Sequence, residues 1–322
     1  MLDQDLAARS ASLARIYSEL GFEQRAMVEG WKSLDDDPSN YSAHRLLADL
    51  YSALPRHEEA RTSELLKSQL LQPINITPVQ PQLAESDLRI YEGTGPASPS
   101  FNEYNHLFNR NRASLQASGV WGENGILGNE LTGNLVYNRF SLSLGQFFYE
   151  SDGFRDNNDQ QKEIYNLFVQ ASPSYRTSLQ AELRYTDTEY GDLPLRFDPD
   201  NIDETLRQRD RVRLARVGLH HAFSPRSDTL LSLIYGHGVY RLGMVSDGTT
   251  YTDDMDVDSY LGEIQHIYRA GRFRATAGAG YTDVNTDDAF EMVMEIPGSP
   301  PMVVESNDDW DVHHTNLDVH HT

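Results

Sequence analysis

The side chains able to do chemistry are few, and their spacing limits what they can do. Asp254, Asp256 and Asp258 make a D-x-D-x-D run like the start of a calcium loop, hard oxygen ligands for a hard cation. The glycine that turns such a loop and its closing glutamate are both missing. His313–His314 and His320–His321 offer imidazole, which suits zinc or nickel. Adjacent residues of a strand point to opposite sides, so one such pair chelates poorly. His220 and His221 share that difficulty, and neither has an obvious carboxylate partner in the sequence. No Ser-His-Asp set, phosphate-binding glycine loop or paired catalytic carboxylate stands out. The expectation is a chain that is not an enzyme and uses no cofactor. It has no firm metal site, and the three aspartates are its calcium candidate.

Composition narrows the class. The 322 residues carry 49 Asp and Glu against 27 Lys and Arg, a net charge of −22. A nucleic-acid binder needs a basic face, so nucleic acid is not an expected partner. Cysteine is absent, which removes disulfides and thiolate metal sites. Mean hydropathy is −0.57 and no apolar run reaches about 18 residues, so no transmembrane helix is expected. A transmembrane β-barrel remains open, because its strands show lipid only at alternate positions. Met1–Arg15 has no basic start, apolar stretch or small-residue cleavage site, so no signal peptide is read there.

From about Arg112 the pattern has a period of two. Leu179, Ala181, Leu183 and Tyr185 alternate with Gln180, Glu182, Arg184 and Thr186. Similar alternation marks segments near 113–121, 131–137, 140–144, 165–172, 215–223, 229–240, 257–268 and 273–282, with 310–321 a poorer match. About ten strands result, long by globular standards. Short joins at 137–139, 172–174, 224–227 and 270–272 alternate with long polar ones at 151–161, 191–210, 246–256 and 283–309. Short turns at one end and long loops at the other, with aromatic residues near strand ends, is the pattern of an outer-membrane barrel. The polar alternates Gln180, Glu182, Arg184, Arg216, Glu263, Gln265 and Arg274 are then the expected lumen lining. There they would set the field felt by a solute or simply pair with one another. A soluble antiparallel barrel or sandwich also alternates, and is the competing expectation.

The first 74 residues follow a helical period. Leu13, Ala14, Tyr17 and Ala26 recur 34 residues on as Leu47, Ala48, Tyr51 and Ala60, with Pro38 closing the first unit. This spacing resembles the tetratricopeptide repeat, a helix-turn-helix in which small residues let two helices cross closely. The resemblance implies recruitment of a protein partner. About three such repeats are normally needed for stability, and two are read here. Residues 75–111, rich in proline and glycine, read as an extended linker with a possible short strand at Leu88–Tyr91.

Arg139–Phe154 (RFSLSLGQFFYESDGF) and Asp159–Ala171 (DQQKEIYNLFVQA) resemble strands of TonB-dependent-receptor-like outer membrane proteins. Members of that family carry a folded plug before the barrel, where only the linker stands here. The order of helical repeats and barrel is similar to that of outer-membrane exporters of bacterial exopolysaccharides. The fold class expected is α+β multidomain: helical repeats over 1–74, a linker over 75–111 and an antiparallel outer-membrane barrel over 112–322. The repeat DVHHT at 311–315 and 318–322, an odd seven residues apart, and the two lone repeats suggest a truncated barrel. Three functions compete. The first is an outer-membrane export or transport pore, lipid around it, whose periplasmic repeats recruit a protein. The second is a non-conducting receptor or anchor. The third is a soluble scaffold of repeats with a β-domain.

Overall fold

The computed structural model describes residues 5–51, 58–71, 111–193, 202–270, 273–296 and 298–321. The linker at 75–110 and the candidate strand Leu88–Tyr91 lie outside the described residues.

Four helices open the described chain: α1 (Leu6–Glu19), α2 (Glu23–Asp36), α3 (Tyr41–Tyr51) and α4 (Glu58–Leu71). Asp5 caps α1 by accepting from the Ala8 amide at 3.0 Å. Gly21, at φ +78°, ends it: the Phe22 amide reaches the Tyr17 carbonyl and the Gly21 amide the Ser18 carbonyl. The rings of Tyr17 and Phe22 meet edge-on across that stop. Pro38 lies in the next turn, and the Asn40 side chain caps α3 by accepting from the Ser42 amide.

The helices share a small core. Ala14, Ala26, Leu46, Leu47 and Leu50 form one core, with Tyr17, Met27, Leu34 and Tyr51 against it. Ala48 is buried, Ala60 is half-buried and Leu13 is exposed. Gly30 lies under Leu47, where a Cβ would come within 2.9 Å of the leucine Cδ2.

The rest is one antiparallel sheet of ten strands in strict meander order. In sequence they are β1 (Arg112–Trp121), β2 (Leu127–Tyr137), β3 (Phe140–Ser151), β4 (Gln160–Ser174), β5 (Thr177–Tyr190), β6 (Arg207–Ser224), β7 (Ser227–Ser246), β8 (Thr249–Ala270), β9 (Phe273–Met294) and β10 (Met302–His321). Among the described residues β1 pairs only with β2 and β10 only with β9, so the sheet is not closed. The joins at 138–139, 175–176 and 225–226 are two residues long. They lie at one end of the sheet.

Two of the four expected long loops are strand instead. β7 and β8 run on to a tight turn at Asp247 (φ +50°) and Gly248 (φ +72°), the left-handed pair of a type I′ hairpin. β8 and β9 are each 22 residues long, and β10 begins at Met302. The carboxylates of 246–256 and 283–309 read as solvated loop. Their period of two nevertheless continues, with Met255, Val257, Val284 and Trp310 on one side and Asp254, Asp256, Asp287 and Asp309 on the other.

Candidate functional site

The two faces of the sheet carry the opposite of what a water-soluble protein carries. Leu115, Leu144, Leu183, Val217, Leu233 and Ile264 are between 48 % and 72 % exposed. On the other face Thr132, Asn134, Ser143, Asn166, Gln180, Glu182, Arg216 and Ser232 are at most 5 % exposed. The exposed residues line up across strands: Leu144 pairs with Leu167 and Leu167 with Leu183, one row nearer the long loops than Val217 and Leu233. A continuous apolar surface on the outward side fits hydrocarbon, not water.

Rings bound that surface. Tyr165 and Tyr185 pair at 6.3 Å between centroids, and Tyr235 and Tyr260 at 5.0 Å. At the turn end stand Tyr137, Phe140, Phe223, Tyr268 and Phe273, all exposed. Tyr260 and Tyr268 are eight residues apart, as are Phe273 and Tyr281. Eight residues span about 26 Å of strand, or about 20 Å along the normal at a tilt near 40°. The apolar band of a membrane barrel is about 25 Å tall.

Beyond the Tyr165–Tyr185 and Tyr235–Tyr260 pairs, which lie in adjacent outward rows, the outward positions change character without a change of side. On β5 the outward series passes from Leu179, Ala181 and Leu183 to Asp187 and Glu189. On β6 it passes from Leu219, Val217 and Ala215 to Arg213, Arg211 and Arg209. Arg209 and Arg211 both donate to Asp187, at 2.9–3.1 Å. On β8 it passes from Ile264, Gly262 and Tyr260 to Asp258, Asp256 and Asp254. Charge on the outward face belongs in water, and the tyrosines stand where that face passes from apolar to charged.

The calcium candidate falls in that outer zone. Asp254, Asp256 and Asp258 are spread along extended β8 and do not curl around a point. Asp258 accepts from the Tyr235 hydroxyl at 2.9 Å and contacts His237 Nδ1 at 3.1 Å, while Arg241 stands 3.6 Å from Asp254. Among the described residues no three ligating side chains converge on a metal-sized site. His220 has a carboxylate partner after all, Asp228 at 3.1 Å, brought in from β7. His221 meets the Thr177 hydroxyl at 3.0 Å, and His313 contacts Asp283 at 2.9 Å.

The inner face gathers the expected lumen residues, and a helix lies on them. Gln180, Gly218, Ser232 and Glu263 form one cross-strand row; Glu182 and Arg216 pair in the next. The Arg216 guanidinium is ion-paired with the Glu182 carboxylate, which also accepts from Asn166. Arg216 Nη2 donates to Gln69 of α4 at 2.8 Å. Gln180 Nε2 donates to the Leu66 carbonyl at 3.0 Å. Lys67 Nζ is 2.9 Å from Glu263, and the Ser63 hydroxyl donates to the same carboxylate at 3.3 Å. Leu66 and Leu70 bury against Leu230 and Ile267. Three of the expected lining residues, Gln180, Glu182 and Arg216, are therefore sealed at 2–3 % exposure and do not face open water. Arg184 and Gln265 are half-buried on the same face. Arg274 pairs in register with Arg269, and its side chain lies outside the described residues.

Electrostatics holds α4 from both sides. Burial pushes the Glu64 carboxyl up, but Lys67 and then His44 beside it outweigh that and hold it down at about 2. His44 Nδ1 lies 2.6 Å from Glu64 and its Nε2 2.9 Å from the Pro38 carbonyl. Burial pulls the Lys67 ammonium down, yet Glu64 and Glu263 raise it above its ordinary value. Sequence reasoning missed Asn166, Ser63, Glu64, Lys67, Gln69 and Gly218 as partners of the inner wall. The one available signal was Gly218, a bare position on the polar side of β6.

No protein-family model and no curated protein matches the sequence. Solved structures do match. The copper transporter OprC superposes with a TM-score of 0.52 at 12 % identity, over 66 % of this chain and 35 % of that one. The siderophore receptor PiuA from Acinetobacter baumannii gives 0.52 at 10 % identity, over 64 % and 39 %. The sheet has the fold of an outer-membrane barrel wall. The chain spans between a third and two fifths of the length of these proteins.

Proposed function

We propose that the sheet is part of the wall of a bacterial outer-membrane β-barrel with a transport or receptor role, and that the chain is not an enzyme. The observation that carries this reading is the outward surface, apolar between two aromatic rows and charged beyond one of them, over a polar inner face. Solvent of one kind on each side, and a change of solvent partway along the outside, suits a sheet crossing a bilayer. The short-turn end then faces the periplasm, where such barrels keep their turns, and the long loops face outward.

On this reading a polymer or solute passes along the inner face, and the helices at the short-turn end recruit a periplasmic protein in the manner of tetratricopeptide repeats. The exposed Leu13, Ile16, Leu20 and Phe22 on and after α1 suit such a contact. A non-conducting receptor or anchor would use the same outward face and differ only inside. The full-length protein should need detergent for extraction and should migrate faster on a gel before heating than after. Ion conductance in planar bilayers then separates transport from anchoring. Extraction into plain buffer as a compact monomer would overturn the membrane reading.

A further inference from the structure

The inner wall is shaped for one helix, and the helix is this chain's own. Leu66 and Leu70 are spaced i, i+4 on α4, so both project from one stripe of the helix. They sit over Gly218 of β6, where a Cβ would lie 2.8 Å from Leu66 Cδ1, 3.0 Å from Leu70 Cδ1 and 3.2 Å from Gln180 Cγ. A Cβ there would push the Leu66 methyl aside, and a larger side chain would compete with the helix for its seat. Leu230 and Ile267 close the floor on the far side. Around this apolar seat, three strands each place a polar group on α4, Gln180 from β5, Arg216 from β6 and Glu263 from β8, while β7 contributes Leu230 to the apolar floor. A second tether fixes the α2–α3 turn to the same end of the sheet, Arg269 Nη1 donating to the Ser39 hydroxyl at 3.0 Å.

This seat lies beside the short turns. Gln180 is three residues into β5, Leu230 three residues into β7 and Ile267 three residues from the end of β8. A helix with its side chains is about 10–12 Å across. Standing on the inner wall at the short-turn mouth, it covers the inner face of β5–β8 there. We propose that α4 is a gate: seated over Gly218 it closes the passage at the short-turn mouth, and lifting it opens that passage. The inference rests on the barrel-wall reading. Because α4 belongs to the helical unit, a partner that draws on α1–α3 would pull on the gate through the backbone, without needing to enter the lumen.

The test uses the full-length protein in liposomes and exploits the lack of native cysteine. Leu66→Cys, and Leu70→Cys as a second reporter, are labelled with a water-soluble maleimide alone and together with Gly218→Leu. Glu263→Lys, which sets like charges at Lys67, is a second way to lift the helix should Gly218→Leu not fold. Labelling should be at least about ten-fold faster with either lifting substitution, the ratio that about 1.4 kcal/mol of docking sets. Conductance in planar bilayers should rise in the same variants without the reporter cysteine. Rapid labelling without any lifting substitution overturns the docked gate. Faster labelling with unchanged conductance also overturns it, leaving a docked helix that closes nothing. Protein that will not enter liposomes at all overturns the barrel-wall reading, and the gate falls with it.

Discussion

Leu183 and Asp187 sit on the same strand and point to the same side, four residues apart, yet on the proposed reading one meets hydrocarbon and the other water. The same contrast separates Val217 from Arg211 on β6 and Ile264 from Asp256 on β8. The backbone does not distinguish the two zones: pairing runs unbroken from one to the other. What changes is the outward chemistry, and the tyrosines at the boundary have one apolar and one polar end to match. A sheet can therefore keep one geometry while its outside obeys two sets of rules.

The contrast between inside and outside is the most costly to break. Glu182→Ala leaves the Arg216 guanidinium buried beside Asn166 and Gln69 without its carboxylate, a loss of about 3–5 kcal/mol. Adding Arg216→Met should recover most of it, measured by urea unfolding in vesicles. Next comes the contrast along the outward face. Leu183→Arg should destabilise by about 2–4 kcal/mol, whereas the same residue at Asp256 should stay within about 0.5 kcal/mol. Equal effects at the two sites would erase the boundary that the tyrosines mark.

The pH dependence of the helix on the inner wall sharpens the comparison further. Glu64 is held below its ordinary value, so its contribution is complete above pH 4.5 and is lost as pH falls toward about 2. Lys67 is raised, so its contribution is complete below its ordinary value of 10.5 and is lost as pH climbs past it. Maleimide protection of Leu66→Cys, assayed by pulse at fixed labelling pH after incubation, should be flat from about pH 5 to 10 and fall on either side. The smallest effect is expected at Asp256→Asn, within about 0.5 kcal/mol, since that carboxylate stands on an exposed outer strand.

Much of the sheet was legible because alternation is local. Leu179 to Thr186 announces a two-faced strand by itself, and Pro225 with its neighbours announces a turn. The apolar exposed face was legible too, since Leu, Val and Tyr gather on one parity. Strand length was not. Asp253 to Asp258 and Asp283 to Asp288 look like loop when charge is taken to mean solvated coil, and only the backbone pairing of β7, β8, β9 and β10, distant in sequence, makes them sheet. The helical spacing of Ala14, Ala26, Leu47 and Ala48 predicted their burial. The seat of α4 was out of reach, because Leu66 meets Gln180 and Lys67 meets Glu263 across more than a hundred residues. Nothing in the short-range pattern of α4 says that its leucines face a sheet and not another helix.

The most direct test places a single fluorophore at each of six outward positions in the full-length protein reconstituted into liposomes. Cysteines at Leu183, Val217 and Ile264 report the band between the tyrosine rows, and cysteines at Asp187, Arg211 and Asp256 report the strands beyond it. Lipids carrying a quencher on the acyl chain should quench the first three strongly and leave the last three bright. Six equally bright positions, on protein that remains dispersed in buffer, would contradict the account.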